Sequence, residues 1–200
     1  MPRSPLVALA IPGLALALAL PALAARGDDA KRKSKNGRTE GSIAGVQVVV
    51  EYGRPNVAGR EVWGKLVPWG QVWRTGADEA TAITFAKDVL VEGQKLAAGT
   101  YALFTIPGEK EWTVIFNRTA EQWGAFDYDA KQDALRVTVK PAATQAPVES
   151  LDFVIEGARV ALRWEKLAVG FEVKPAACAD LPPGPPGRGQ STSRSRRRAR

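Results

Sequence analysis

Residues 151–165 read LDFVIEGARVALRWE, and this stretch is the clearest indicator of the fold class. Val160, Leu162 and Trp164 alternate with other residues, which is the period of a strand that buries one face. The residues EGA at 156–158 divide the stretch in the way that a hairpin turn does. The stretch therefore predicts two antiparallel strands joined by a tight turn.

The same alternation recurs along the chain, most clearly at Leu135, Val137 and Val139, which are separated by polar residues. After the first 24 residues, no long segment has the 3.6-residue apolar period of an amphipathic helix, and Gly or Pro interrupts the chain repeatedly. This pattern predicts an all-β domain at residues 43–174, either an antiparallel β-sandwich or a flattened barrel. The predicted strands lie at 46–52, 82–86, 89–91, 101–106, 112–116, 135–139, 151–155, 159–165 and 169–173.

Residues 1–24 have the three parts of a secretory signal peptide. Arg3 gives a positive start, residues 6–20 form an apolar run, and Ala22 and Ala24 supply the small residues of a cleavage site. The apolar run is too short for the roughly 20 residues that a membrane-spanning helix needs. We therefore expect cleavage near Ala24, export to the periplasm or the exterior, and no transmembrane segment in the mature chain.

The positive charge of the chain is concentrated at its two ends. Thirteen of the 28 Lys and Arg residues lie in residues 1–39 and 176–200, whereas residues 40–175 contain 15 Lys or Arg against 18 Asp or Glu, a net charge of −3. We expect residues 25–42 to be a disordered linker and residues 175–200 a disordered Pro/Arg-rich tail. This distribution argues against specific nucleic-acid binding, although the tail suits nonspecific contact with an anionic envelope surface.

The chain has no histidine and a single cysteine, Cys178. The missing histidine excludes Ser-His-Asp and Cys-His catalysis and any metal site built on imidazole. Asp127, Asp129 and Asp133 lack the glycine and terminal glutamate of a calcium-binding hand, so we expect them to form a solvated turn. We therefore expect no metal and no cofactor, and the composition argues more against an enzyme than for one.

Residues 52–81, which we call the cover, break the alternation and read YGRPNVAGREVWGKLVPWGQVWRTGADEAT. The cover contains three of the six tryptophans, five glycines and three arginines. A long loop with so much apolar surface packs against its domain, because the rings would otherwise be exposed to water. We expect this Trp/Gly-rich loop to cover one end or one face of the sheets.

Several ordered motifs resemble those of one family. They are Tyr52-Gly53-Arg54-Pro55, Gly59-Arg60-x-x-Trp63-Gly64, Val72-Trp73-Arg74-Thr75-Gly76-Ala77-x-Glu79-Ala80-Thr81, Ala98-Gly99-Thr100-Tyr101 and Trp112-x-Val114-Ile115-Phe116-Asn117. At this spacing the chain resembles the DUF2911 family of bacterial exported proteins over residues 43–174. The resemblance implies a bacterial, exported domain of undetermined function, and it implies an Asn where this chain has Asp78.

The cover supplies the candidate ligand-binding residues, which are charged side chains among aromatic rings. They are Arg54, Trp63, Trp69, Trp73, Arg74, Asp78 and Glu79. Charges among rings must pair, because an unpaired buried ion costs several kcal/mol. One interpretation is a structural network in which the arginines pair with the carboxylates and tie the cover to the sheet. The other is a pocket that binds a sugar, a peptide terminus or another polar ligand.

Three functions fit these observations. The first is noncatalytic binding of a small or polymeric polar ligand, such as a small molecule, a glycan or a peptide, at the cover. The second is a structural or assembly domain of the cell envelope, with the cover as a protein interface. The third is a carboxylate-dependent hydrolase with Glu79 or Asp78 as base and Arg74 as anion stabiliser. Adjacent residues of a strand point to opposite faces, so we do not expect both carboxylates to act on one substrate.

Overall fold

The computed structural model describes residues 26–177, so the predicted signal peptide and nearly all of the predicted C-terminal tail lie outside the described residues. Ten strands and two single-turn 3₁₀ helices, Asp29–Lys31 and Ala130–Gln132, form this part of the chain. The strands are β1 (Lys35–Ile43), β2 (Val46–Arg54), β3 (Thr81–Phe85), β4 (Val89–Val91), β5 (Gln94–Leu96), β6 (Gly99–Ile106), β7 (Trp112–Asn117), β8 (Asp133–Val139), β9 (Ala142–Glu156) and β10 (Arg159–Pro175). Neither helix within residues 26–177 has the length or apolar character needed to cross a membrane.

The strands form two sheets in which every pairing is antiparallel. One sheet has the order β1-β2-β3-β6-β7-β8, and the other has the order β5-β4-β10-β9. At one side of the molecule, the hydroxyl of Thr39 on β1 donates to the carbonyl of Phe153 on β9 at 2.9 Å. Because each sheet keeps two edge strands within residues 26–177, the β-sandwich prediction is confirmed and no closed barrel forms.

The core consists of the residues that the alternation placed on one face. In β10, Val160, Leu162 and Trp164 are at most 3% exposed, and β8 buries Val137 and Val139 in the same alternation. The structure differs from the prediction in β10, because the strands expected at 159–165 and 169–173 are one continuous strand. Its register against β9 shifts around Glu165, whose φ is 55°. A β-bulge of this kind bends a strand without ending it.

The structure corrects the disordered linker predicted at residues 25–42, because β1 occupies residues 35–42 of that segment and a 3₁₀ helix occupies residues 29–31. A two-residue turn at Ala44 and Gly45 connects β1 to β2, and both residues have positive φ, as the favoured hairpin turns require. β1 carries polar side chains, so no apolar alternation marks it in the sequence. Its pairing with β2 satisfies its backbone groups, and Gly37 leaves room for the Tyr52 ring, which would lie 2.5 Å from an added Cβ.

The cover packs against both sheets, as predicted. The Val57 N–H donates to the Glu149 carbonyl of β9 at 2.8 Å, which attaches the cover to the four-stranded sheet. Trp73 and Thr105 of β6 exchange two backbone hydrogen bonds of 2.7 and 2.9 Å, which attach it to the six-stranded sheet. The cover therefore connects the two layers and holds its side chains at fixed positions.

Candidate functional site

Five of the six tryptophans form one cluster where the cover meets the two sheets. Trp63 lies at its centre, and its ring centroid is 5.0 Å from that of Trp112 on β7 and 5.6 Å from that of Trp164 on β10. Both contacts are edge-to-face, which is a favoured arrangement of aromatic rings. Trp69 stacks on the other side of Trp63 at 6.4 Å. Trp63 and Trp69 therefore serve the packing of the domain.

Residues 26–34, which we call the strap, lie against the two carboxylates of the cover. The Arg32 guanidinium donates to Glu79 Oε1 at 2.8 Å, to Glu79 Oε2, and to Asp78 Oδ2 at 3.1 Å. The Arg32 side chain is only 9% exposed. Asp78 has a φ of 62°, so the chain is not extended there and the expectation that Asp78 and Glu79 face apart is wrong.

Arg26 anchors the other end of the strap. Its Nη2 donates to the carbonyls of Glu51 and Ala80 at 2.8 and 2.7 Å, and its Nη1 lies 3.6 Å from Glu79 Oε2. Burial lowers the pKa of Arg26, and the charge of Glu79 opposes that shift. The segment predicted as a linker is therefore attached by side-chain contacts as well as by β1.

The ion pairs within residues 26–177 differ from the predicted network in their arginines. Asp78 and Glu79 pair with Arg26 and Arg32, and neither pairs with Arg54 or Arg74. The exposed Arg54 donates instead through Nε to the Leu151 carbonyl at 3.3 Å. The structural network exists, but the predicted arginines do not form it.

Arg74 has no ionic partner in the part of the chain that the structure describes. Its side chain forms no ion pair with any residue of the range 26–177. Its Nε is buried, and no acceptor within these residues takes its hydrogen bond. Arg74 therefore carries a positive charge and an unsatisfied donor in a half-buried position.

Arg74 borders a cleft of about 540 Å³ between the strap, the cover and β10. The lining consists of Lys33, Ser34, Pro55, Asn56, Ala58, Arg60, Leu66, Val67, Trp73, Arg74, Gly76, Ala77, Asp78 and Trp164. Of the seven predicted binding residues, the cleft brings together Trp73, Arg74 and Asp78. The other four lie outside its lining, and they are Arg54, Trp63, Trp69 and Glu79.

The cleft combines an aromatic wall with an excess of positive charge. The rings of Trp73 and Trp164 are stacked, with centroids 5.9 Å apart. Lys33, Arg60 and Arg74 contribute three cations, and Arg60 is held by a 3.0 Å hydrogen bond from its Nε to the Val57 carbonyl. The carboxylate in the lining, Asp78, is already paired with Arg32. The arrangement suits a polar ligand with negative charge.

Two of the three aspartates considered as calcium ligands, Asp129 and Asp133, form local hydrogen bonds. Asp129 accepts a hydrogen bond from the Lys131 N–H at 2.9 Å, and Asp133 accepts from the Tyr128 hydroxyl at 2.7 Å. Burial and the hydrogen bond to Asp133 raise the pKa of Tyr128 to about 12. In the described residues, no group of three or more His, Cys, Asp or Glu is placed to hold a metal ion.

Sequence reasoning missed the contribution of the strap to the site. Lys33 and Ser34 line the cleft, and Arg26 and Arg32 pair with the carboxylates of the cover, yet all four lie in the predicted linker. The one signal in the sequence was the adjacent acidic pair Asp78 and Glu79. This pair needs cationic partners, and the arginines of the cover do not provide them. The acidic pair does not indicate which cations pair with it, because Arg26 and Arg32 are distant from it along the chain.

Comparisons with known proteins give one match. A family model described as "Protein of unknown function (DUF2911)" matches residues 34–173. The matched segment includes β1, which the predicted boundary at residue 43 had placed outside the domain. A search of curated proteins and a search of solved structures gave no match.

Proposed function

Because the chain belongs to the DUF2911 family, whose function is unknown, we propose its function from the site itself: noncatalytic binding of a polar ligand in the cleft beside Trp73 and Arg74. The observation that carries the proposal is a concave cleft of about 540 Å³ whose lining includes Arg74, a cation without an ionic partner among residues 26–177. Ligand sites are typically concave, with aromatic surface and a few polar groups that orient the ligand.

The energetics of Arg74 support this proposal. A buried donor that lacks a partner costs about 1–3 kcal/mol. A ligand oxygen that accepts a hydrogen bond from the Arg74 guanidinium would recover part of that free energy. The exposed edge of the cleft leaves room for either a small ligand or one end of a polymer.

The carboxylates argue against a hydrolase. Hydrogen bonds from Arg32 lower the pKa of Glu79 to about 2, so this side chain is ionised at neutral pH. An effective general base has a pKa near the working pH. Glu79 lies outside the cleft lining, and both carboxylates are occupied by Arg32. We therefore favour binding over carboxylate-dependent hydrolysis.

A second candidate function is assembly with another protein in the cell envelope. The observation that favours it is the exposure of Trp123 and Phe126, whose side chains are 58% and 84% exposed. Their loop contacts the cover, because the Gly124 N–H donates to the Asp78 carbonyl at 2.9 Å. Light scattering tests this candidate. A protein that stays monomeric and binds no envelope protein through this loop would exclude assembly as its function.

Export is part of the proposal, and the sequence of residues 1–24 supports it. The test is N-terminal sequencing of the protein recovered from the envelope and the medium of a bacterial host. We expect a new N-terminus near residue 25. Recovery of the intact chain from the cytoplasm alone would contradict export.

The cleft itself is tested with glycans, peptides and small metabolites, both neutral and charged. We expect at least one probe to shift the indole N–H signal of Trp73 in a ¹H–¹⁵N NMR spectrum and to raise the melting temperature. Ser34→Trp places a large ring in the cleft and should abolish both effects. Ser42→Trp, at the exposed end of β1, is the matched control and should preserve them. A response that survives Ser34→Trp would place the site elsewhere.

A further inference from the structure

We propose that the ligand of the cleft carries an oxyanion, a carboxylate or a phosphate, and that the Arg74 guanidinium binds this group. The inference rests on the proposed function and adds the chemical class of the ligand. It follows from three features of the cleft: its charge balance, the hydrogen-bonded backbone around Arg74, and the pairing of Asp78 with Arg32.

The charge balance of the cleft differs from that of the surrounding domain. Lys33, Arg60 and Arg74 line the cleft, whereas residues 40–175 as a whole have 15 Lys or Arg against 18 Asp or Glu. A local excess of one sign in a concave site attracts ligands of the opposite sign. The excess persists because Arg32 neutralises the carboxylate of Asp78.

Hydrogen bonds hold the backbone on both sides of Arg74. Trp73 pairs with Thr105 of β6, and the Thr81 N–H donates to the Arg74 carbonyl at 3.1 Å. Thr75 is buried, and its hydroxyl donates to the Thr105 hydroxyl at 3.1 Å. Little ordering of the main chain is therefore needed when a ligand binds, which favours affinity.

The guanidinium group matches oxyanions in shape as well as in charge. Its planar set of N–H groups donates two parallel hydrogen bonds to a carboxylate or a phosphate, which a lysine ammonium does not do. Asp78 is the carboxylate that lines the same cleft, and Arg32 donates to its Oδ2. Arg32 thus neutralises the carboxylate in the cleft lining.

The experiment follows the Nε–H resonance of Arg74 in the ¹⁵N-labelled protein. Inorganic phosphate and sodium acetate are titrated separately at constant ionic strength. We expect a saturable shift of the Arg74 signal with a dissociation constant of about 1–10 mM, which is reasonable for so small a ligand. A response to phosphate alone, to acetate alone or to both supports the proposal and identifies the oxyanion.

Variants test whether anion binding depends on Arg74. Arg74→Gln should weaken binding by about tenfold or more, followed through the backbone amides of Gly76 and Ala77, because it removes both the charge and the fork of donors. Arg74→Lys should weaken binding less. Lys110→Gln removes an exposed charge outside the cleft lining and should leave binding unchanged. The Arg74 variants are expected to fold, because Nε has no hydrogen-bonded partner to lose within residues 26–177.

The outcomes separate this inference from the proposed function. If neutral ligands shift the Trp73 signal but neither anion shifts Arg74 Nε–H, the inference is wrong and the proposed function stands. If the anions bind through Arg74 but no organic ligand binds and Ser34→Trp has no effect, an anion site exists and the proposed function is wrong. Equal anion binding by Arg74→Gln and the wild type would overturn the inference directly.

Discussion

Arg32 contacts both carboxylate oxygens of Glu79 through two nitrogens of its guanidinium group. The pair joins the strap to the cover across 47 positions of the chain. Because Arg32 is 9% exposed and Glu79 is 24% exposed, solvent screens this pair less than a surface ion pair. The contact fixes the wall of the cleft that Lys33 and Ser34 form.

Glu79→Gln is expected to lower the free energy of unfolding by about 1–3 kcal/mol, because it replaces a charged, two-bond contact with a neutral amide. Urea denaturation measures the loss, and limited proteolysis should show faster cleavage within the strap. Glu109→Gln, at an exposed position between β6 and β7, is the control and should change stability by less than about 0.5 kcal/mol. Equal stability of the two variants would exclude a stabilising role for the pair.

The pH dependence of stability provides an independent test of the same pair. Hydrogen bonds from Arg32 lower the pKa of Glu79 to about 2. A carboxyl group with a depressed pKa contributes its full stabilisation above its unfolded pKa, about 4.3, and loses it as the pH falls towards the folded value. The stability difference between the wild type and Glu79→Gln should therefore be constant from neutral pH to about 5 and shrink below that. A difference that stays constant in acid would contradict the lowered pKa.

Trp63→Ala should cost about 3–5 kcal/mol of unfolding free energy, because the ring fills the space between Trp112 and Trp164 and its loss leaves a cavity. Urea denaturation measures the loss, and the near-ultraviolet circular dichroism of the tryptophan cluster should weaken. Trp123→Ala, at a side chain that is 58% exposed, should cost less than about 1 kcal/mol. Similar losses at both positions would show that Trp63 does not join the two sheets.

Gly53→Ala tests the close approach of β2 to the end of the cover. A Cβ at Gly53 would lie 2.2 Å from the Ala77 carbonyl oxygen, so the backbone beside Asp78 must move. We expect a loss of about 1–3 kcal/mol and a weaker anion response of the cleft. Gly41→Ala is the control, because its Cβ would meet Ile155 at an ordinary 3.4 Å. Wild-type stability of Gly53→Ala would show that β2 and the cover do not approach each other so closely.

The sandwich could be predicted because alternation is a local property of each strand. Val160, Leu162 and Trp164 alternate in the sequence and are all buried in β10. β1 could not be predicted in this way, since its side chains are polar and its pairing with β2 depends on backbone hydrogen bonds. The sequence analysis predicted two separate strands where the structure has one strand with a bend at Glu165, because a bulge and a loop look alike in the sequence.

The candidate site was predicted only in part. The sequence indicated the cover, and with it Trp73, Arg74 and Asp78, because aromatic and charged residues are concentrated there. It did not reveal that Trp63 packs against the core, since this depends on which rings the other strands bring near. It also did not reveal which arginines neutralise the acidic pair.

Residue order and composition within short stretches were enough to establish the all-β class, the buried faces of the main strands, the acidic balance of the domain and the existence of the cover. Three further properties emerged from the folded chain. The strap is part of the domain, Arg32 neutralises Asp78 and Glu79, and Arg74 has no ionic partner within residues 26–177 and borders a cleft. The physical reason is that a charge pairs with whatever the fold brings within a few ångströms, and Arg32 and Glu79 are 47 positions apart.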